Sequence, residues 1–514
     1  MFCKILSGGV VGVSACFVWV EVDIDRGLPA FSMVGSPGSE VKESRERVTV
    51  ALKNAGFSLP ASRITVNLAP ADVHKEGTAF DLPVAVGILQ AMSYFVQDAA
   101  EGILFLGELG LNGELKKVPG VLPVVRAAAA AGITQCIVPA ANAGEGAVIP
   151  GIIVRGAVHI SQVLSFLQQE DSKEREAILP AAPASAAATQ AGEDSGTVDF
   201  AEVTGQQMAK RAAEIAAAGF HNLLMTGPPG AGKSMIARRI SGILPALTLE
   251  ESLEVTSIYS VAGLLKDNQD LVTARPFQNP HHTVSRAALV GGGAHPRPGL
   301  ISLAHRGVLF LDELPEFGRT VIDSMRQPLE EHMVYLARAG GNISYPADFM
   351  LVCAMNPCPC GYYPDRNRCK CTPAQLHRYQ SKVSGPILDR IDLWVELQAV
   401  DLESLQGKRN EESSGKIRRR VEQARARQQD RFAGMAYRFN ADILAPDMER
   451  FCALGEGEKR LMEQLYSSLR LGARSYHRML RVARTVADLA GEERIREEHL
   501  LEAAAYRPGE MAQD

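Results

Sequence analysis

The apolar positions change their period along the chain, and each change announces a different kind of element. Near the start Val18, Val20, Val22 and Ile24 alternate with polar residues, the signature of a strand with one buried face. The same stretch opens as Lys4 followed by an apolar run over 9–20, an outline shared with short signal peptides. Gly8, Gly9 and Gly12 break it, no A-x-A-like cleavage site follows, and the alternation continues beyond it, so a strand is expected instead. Mixed strand and helix signals at 64–68, 82–92 and 135–139 complete an α+β domain over 1–169.

A charged run at 170–176 and an Ala, Pro and Ser-rich one at 179–191 mark a linker over 170–197. Beyond it the apolar runs 223–226, 308–311 and 349–354 alternate with helical periodicity, the pattern of buried parallel strands in an α/β core over 198–398. From 399 to 514 the pattern is helical, rich in Glu, Arg, Gln and Ala. The expected class is therefore multi-domain α/β. No run elsewhere approaches the roughly 18 apolar residues of a membrane helix, so no membrane partner is expected.

Composition narrows the field. With 514 residues, 46% of them hydrophobic, the chain can bury more than one core. Its 54 Lys and Arg against 59 Asp and Glu leave a net charge of −5, so any polyanion site must be a local patch on an acidic whole. Nine cysteines are too sparse for a secreted disulfide framework, and reduced thiols in a cytoplasmic protein are expected.

The chemistry is concentrated in the second region. Gly227-Pro228-Pro229-Gly230-Ala231-Gly232-Lys233-Ser234 follows an apolar strand and opens a helix, the setting of a phosphate loop for ATP. Glycines let backbone N–H groups curl around phosphates, Lys233 reaches the terminal phosphates and Ser234 holds Mg2+. The run 308–311 ends in Asp312 and Glu313, two carboxylates at the carboxyl end of a central strand, where such sheets place their ligands. Asp312 joins the Mg2+ sphere and Glu313 deprotonates water, which points to hydrolysis.

These motifs resemble those of AAA+ ATPases of the magnesium-chelatase-like class. Four longer stretches are similar to the YifB/ComM family: Asn279-Pro280-His281-His282-Thr283, Leu289-Val290-Gly291-Gly292-Gly293, Asn356-Pro357-Cys358-Pro359-Cys360-Gly361 and the segment from Ser384 to Asp392. The resemblance implies that Asn356 orients the attacking water, that Arg390 is an arginine finger serving a neighbouring subunit, and that Arg474 is the lid arginine sensing the γ-phosphate. Taken singly, Asn356 reads rather as a turn residue and the arginines as surface ion-pair partners, and it is the two motifs in order that favour the functional reading. The resemblance further implies a homo-oligomeric ring, a hexamer, that moves branched or single-stranded DNA as a branch-migration helicase in natural transformation. A magnesium-chelatase motor subunit and a protein-remodelling chaperone are the competing functions.

The family's amino-terminal domain is similar in fold to the Lon protease domain. Laid on the Lon nucleophile motif, 75–79 puts Ala79 where Ser should stand, and Leu122 occupies the position of the Lys base. A proteolytically dead domain is expected.

Cys358, Cys360, Cys369 and Cys371 form C-x-C-x8-C-x-C within 358–371, a tetrahedral donor set for structural Zn2+, although tighter than the usual spacing. Reduced thiols or a redox-sensitive loop compete with that reading, and His377 is an alternative ligand. DNA contact is sought at His281 and His282, at Arg338 in a hairpin over 334–349, and along 416–431, which carries seven positive and two negative residues; a structural histidine pair, a solvated hairpin arginine and a solvated basic helix are the competing readings. Arg470, Arg474, Arg478, Arg481 and Arg484 make one helical stripe, assigned to the nucleotide and subunit interface.

Overall fold

The computed structural model describes residues 1–183, 198–267, 269–293, 296–338, 341–399 and 411–507. Its amino-terminal part is a seven-stranded mixed sheet built from β1 (Phe2–Val11), β2 (Ser14–Asp25), β3 (Ala30–Val34), β4 (Arg63–Ala69), β5 (Ile103–Phe105), β8 (Gln135–Pro139) and β9 (Ile153–Ala157), with β6 (Glu108–Leu109) and β7 (Leu115–Lys116) as a separate pair. The order is β3-β4-β2-β1-β5-β8-β9, and β2 runs antiparallel to both its neighbours.

The alternation that announced β2 is realised: Val18, Val20 and Val22 are buried under the helix Asp81–Ala91. Every residue of that helix is buried, which is why its sequence lacks an amphipathic period. Gly87 permits the close approach, because a Cβ there would lie 2.6 Å from Val22 Cγ2. A second core on the other side of the sheet gathers Leu104, Leu122, Val124 and Val138, with Ala79 packed against it.

The segment expected to be a linker begins as a helix, Ser172–Ile178, capped by Asp171 and tied back by an Arg155–Glu176 ion pair at 2.7 Å. Leu179 is buried in the amino-terminal core, so the chain stays with that domain past 170. Residues 184–197, the rest of the expected linker, lie outside those described.

The second part is a five-stranded parallel sheet of β10 (Leu223–Thr226), β11 (Phe277–Gln278), β14 (Val308–Leu311), β17 (Met350–Met355) and β18 (Leu393–Glu396), in the order β11-β14-β17-β10-β18. Alternate residues feed opposite cores: Val308 and Phe310 one face, Leu309 and Leu311 the other. Burial on both faces explains the uninterrupted apolar runs in the sequence. Two short antiparallel pairs stand outside the sheet, β12 (Gly291–Gly292) with β13 (Arg297–Pro298), and β15 (Met333–Arg338) with β16 (Gly341–Pro346).

The carboxyl-terminal helices Ser414–Arg431 and Ala473–Ala490 pack on the helix Gln207–Gly219 and share one core with the sheet. Two separate segments of the chain's first domain also touch the ATP-motif region. Gly12, in the β1–β2 turn, lies so near β16 that a Cβ would stand 2.7 Å from the Ser344 carbonyl oxygen, and Val13 packs into the same core. At the other contact Gly120 N donates to Ser260 O at 3.1 Å, and Leu253 of the helix Leu249–Ala262 enters the amino-terminal core. Glu145 is buried at this joint and accepts from Ser260 Oγ at 3.4 Å; burial pushes its carboxyl up to about 7. No helix among the described residues is long and apolar enough to cross a membrane.

Candidate functional site

Three adjacent parallel strands deliver the candidate residues to one place. β10 leads into the loop 227–232, β14 into Asp312 and Glu313, and β17 into Asn356, all at the carboxyl edge of the sheet. Gly230 and Gly232 take φ of +79° and +94°, with open space where a Cβ would stand, so the loop can curl with its amides facing inward. Gly227 is required for another reason, since its Cβ would lie 2.6 Å from the Leu397 carbonyl oxygen.

Lys233 begins the following helix and is buried. Its ammonium donates to Gly227 O at 2.6 Å, Pro228 O at 3.0 Å and Asn356 Oδ1 at 3.0 Å. Burial pulls its pKa down, with the charges of Asp312 and Glu313 opposing. Ser234 Oγ donates to Asp312 Oδ2 at 2.6 Å, and Glu313 N donates to Asp312 Oδ1 at 3.0 Å. Ser234 and Asp312 thus offer adjoining hard oxygens of the kind Mg2+ takes, with its other positions left to phosphate and water. Pro229, Gly230, Ala231, Gly232, Lys233, Ser234, Asp312, Glu313 and Asn356 share the lining of a cavity of about 400 Å3.

Arg390 and Arg474 do not line this cavity. Arg390 follows the short helix Gly385–Leu388, and its guanidinium is held by the Glu330 carboxylate and the Pro386 carbonyl of its own chain. Arg474 is exposed at the start of the helix Ala473–Ala490. One turn later Arg478 donates to Leu388 O at 3.3 Å and Ile391 O at 2.9 Å, so the lid helix and the Arg390 turn lie side by side.

Two residues here carried no sequence signal. Asn222 Nδ2 donates to Arg390 O at 2.8 Å, its backbone N to Asp392 Oδ2 at 3.0 Å, and its Oδ1 accepts from Leu351 N at 2.8 Å. His221 is fully buried, with Nε2 2.8 Å from Thr485 Oγ1 of the lid helix and Nδ1 3.7 Å from Asp392. Against the upward push of burial, His221 and Arg481 hold the Asp392 carboxyl down at about 2. The arginine stripe is therefore a joint: Arg478 and Arg484 are buried, and Arg481 donates to Ala441 O at 2.5 Å.

His281 and His282 lie in tilted contact, 4.1 Å between ring centroids, and His282 Nδ1 lies 3.5 Å from Glu313 Oε2. Arg338 ends β15, and the turn beyond it lies outside the described residues. In the basic helix, Arg420 pairs with Glu412 and Glu214, Arg427 donates to Asp488 O and Arg431 pairs with Asp488, while Lys416 and Arg419 remain exposed.

The four cysteines converge. Cys358 Sγ is 3.3 Å from Cys360 Sγ and 3.8 Å from Cys369 Sγ, and all four sulfurs lie within 4.8 Å of one another. None is in a disulfide. Gly361 N and Tyr363 N donate to Cys358 Sγ at 3.2 and 3.4 Å, and a backbone N–H of Tyr362, with Cys358, holds the Cys360 thiol down at about 6. His377 is exposed and not part of the cluster.

Three family models match successive stretches of the chain. Residues 199–405 match the family model described as magnesium chelatase, subunit ChlI; 20–142 match subunit ChlI of Mg-chelatase; and 411–507 match the ChlI carboxyl-terminal model. The chain is 43% identical to the competence protein ComM of Haemophilus influenzae over 508 residues, 98% of this chain and 97% of that one. It is 43% identical to YifB of Salmonella typhimurium over 97% of this chain and 95% of the relative. A 28% identity to the magnesium-chelatase 67 kDa subunit of Chlorobaculum parvum spans 31% of this chain and 23% of that protein.

Proposed function

That this chain belongs to the ComM/YifB family of magnesium-chelatase-like proteins is the premise from which we propose an ATP-hydrolysing ring motor acting on DNA. Family membership supports an AAA+-type ATPase; branch migration of DNA in transformation or recombination is the finer reading. The observation that supports the ATPase is the convergence of Lys233, Ser234, Asp312, Glu313 and Asn356 on one cavity, and likeness to the competence protein ComM supports the action on DNA. Lys233 exchanges the Gly227 and Pro228 carbonyls for phosphate oxygens, while Asn356, already its partner, is placed to orient water. Glu313 takes the proton from that water. Mg2+, held through Ser234 and Asp312, supplies charge neutralisation and orientation of the terminal phosphates.

Arg390 does not line its own cavity and is held by Glu330, which supports its assignment as an arginine finger serving a neighbouring copy, and a homo-oligomeric ring, a hexamer, is assigned with that role. Arg474, exposed at the start of the helix Ala473–Ala490, is assigned the sensing of the γ-phosphate. The four-cysteine loop is assigned a structural Zn2+: a bond of about 2.3 Å to each sulfur of a tetrahedron implies sulfur separations of about 3.8 Å, close to those found. The amino-terminal domain is read as a Lon-like scaffold without peptidase activity, since Leu122 is buried in its core and Ala79 offers no nucleophile.

ATPase assays with branched DNA, single-stranded DNA and an unfolded protein test the proposal. Stimulation by DNA and movement of a branched substrate are expected. An ATPase indifferent to DNA but raised by unfolded protein would replace the motor on DNA with a protein remodeller.

A further inference from the structure

We infer that the four-cysteine loop is a metal-held strut of the nucleotide site, so that a zinc-class divalent cation on Cys358, Cys360, Cys369 and Cys371 sets the affinity for nucleotide. The inference rests on the ATP reading of the neighbouring cavity. The loop departs from Asn356, whose Oδ1 already holds Lys233 at 3.0 Å, and Cys358 follows two residues later. It also bears directly on the phosphate loop. Gly361, at φ +85°, is so close that a Cβ would stand 2.5 Å from Pro229 Cδ and 2.8 Å from Pro229 Cγ.

The loop's far end is equally committed. Immediately after Cys371, Thr372 caps the helix Pro373–Gln380 through a capping box with Gln375. Gln375, Arg378 and Tyr379 from this helix line a cavity of about 490 Å3 that shares Glu313 and Asn356 with the nucleotide cavity. Both ends of the loop, and Gly361 within it, therefore meet residues that line the nucleotide cavity or the one adjoining it.

The loop has little of its own to fix that position. Between Cys358 and Cys371 the apolar side chains are Pro359, Tyr362, Tyr363 and Pro364, and Arg368 and Arg366 lie over the two tyrosines at 4.0 and 5.5 Å instead of a core forming beneath them. A segment this short and polar needs a staple. Four sulfurs within 4.8 Å, with two backbone N–H groups donating to Cys358, make a thiolate nest that a soft-tolerant cation fills and Mg2+ does not. Without the cation, the sulfurs repel as thiolates or bond weakly as thiols, and Gly361 is no longer pressed on Pro229.

The test uses the full-length chain. Metal content is read by elemental analysis after chelator washing, and nucleotide affinity by titration with a fluorescent ATP analogue. Wild type is expected to carry about one zinc per chain. The double variant Cys360→Ser/Cys371→Ser should lose it and bind nucleotide at least tenfold more weakly. Gly361→Ala keeps all four thiols and should keep zinc, yet weaken nucleotide similarly by displacing the loop from Pro229. Lys233→Ala should keep zinc and lose nucleotide. A zinc-free wild type, a zinc-free double variant of unchanged affinity, or a zinc-loaded Gly361→Ala of unchanged affinity would each overturn the strut. If Lys233→Ala binds nucleotide as wild type does, the ATP reading of the cavity fails instead.

Discussion

Glu313 stands at φ +54°, a left-handed backbone that costs a non-glycine residue about 1–2 kcal/mol. The turn leaves the Asp312 carboxylate with Ser234 and directs Glu313 toward the region of Asn356, so two successive acids take different tasks. Glu313→Gln should retain ATP binding while turnover falls about 10²–10⁴-fold, the usual yield of a general base; single-turnover hydrolysis against equilibrium binding separates the two. Glu330 holds Arg390 inside its own chain, and the proposed service to a neighbouring copy requires that contact to open. Glu330→Gln should lower the chain concentration at which ATPase activity is half-maximal, and an unchanged concentration curve would remove this role. At this scale the phosphate loop and the acid pair were legible because their chemistry is local spacing. Asn222 and His221 were not, because each acts only through partners more than a hundred residues away.

Strands with one buried face announced themselves by alternation, and those buried on both faces by short apolar runs. The apolar stretch over 82–92 carried no period, since the helix it forms is enclosed on all sides. The helix Ser414–Arg431 shows the converse: its charges read as a face for a polyanion, but Arg420, Arg425, Arg427 and Arg431 are spent on internal contacts. Composition cannot distinguish a cation facing solvent from one whose carboxylate arrives from elsewhere in the chain. Asp488 is fully buried and receives both Arg431 and Arg484. Arg431→Ala should therefore destabilise the chain by about 3 kcal/mol, whereas Arg419→Ala on the exposed side should leave stability within about 0.5 kcal/mol; denaturant midpoints of the two variants give the comparison.

A chain of net charge −5 has no general attraction for polyanions, so a DNA motor built from it relies on exposed local groups such as Lys416 and Arg419 repeated around an assembly. The joint between its first two domains contains its own titration. Glu145 has a folded pKa of about 7 against an ordinary 4.5, so the folded state keeps a proton that the unfolded chain has lost. Stability from this group is present below about pH 4.5 and declines as pH rises to about 7. Glu145→Gln should remove that decline, so its thermal midpoint relative to wild type should climb between pH 5 and 7; parallel midpoints across that range would exclude the effect. The change of apolar period from one region to the next was visible in the sequence, but this joint was not, because Gly12, Gly120 and Glu145 have no sequence pattern in common.

Those contacts have a mechanical consequence. The amino-terminal domain is pinned at Gly12–Val13 to β16 and at Gly120 to the helix Leu249–Ala262, so it forms a cross-brace between a hairpin and a helix of the ATP-motif domain. A load that displaces the hairpin is shared by a seven-stranded sheet, and the stiffness opposing it is set by a domain none of whose described residues lines the phosphate-loop cavity.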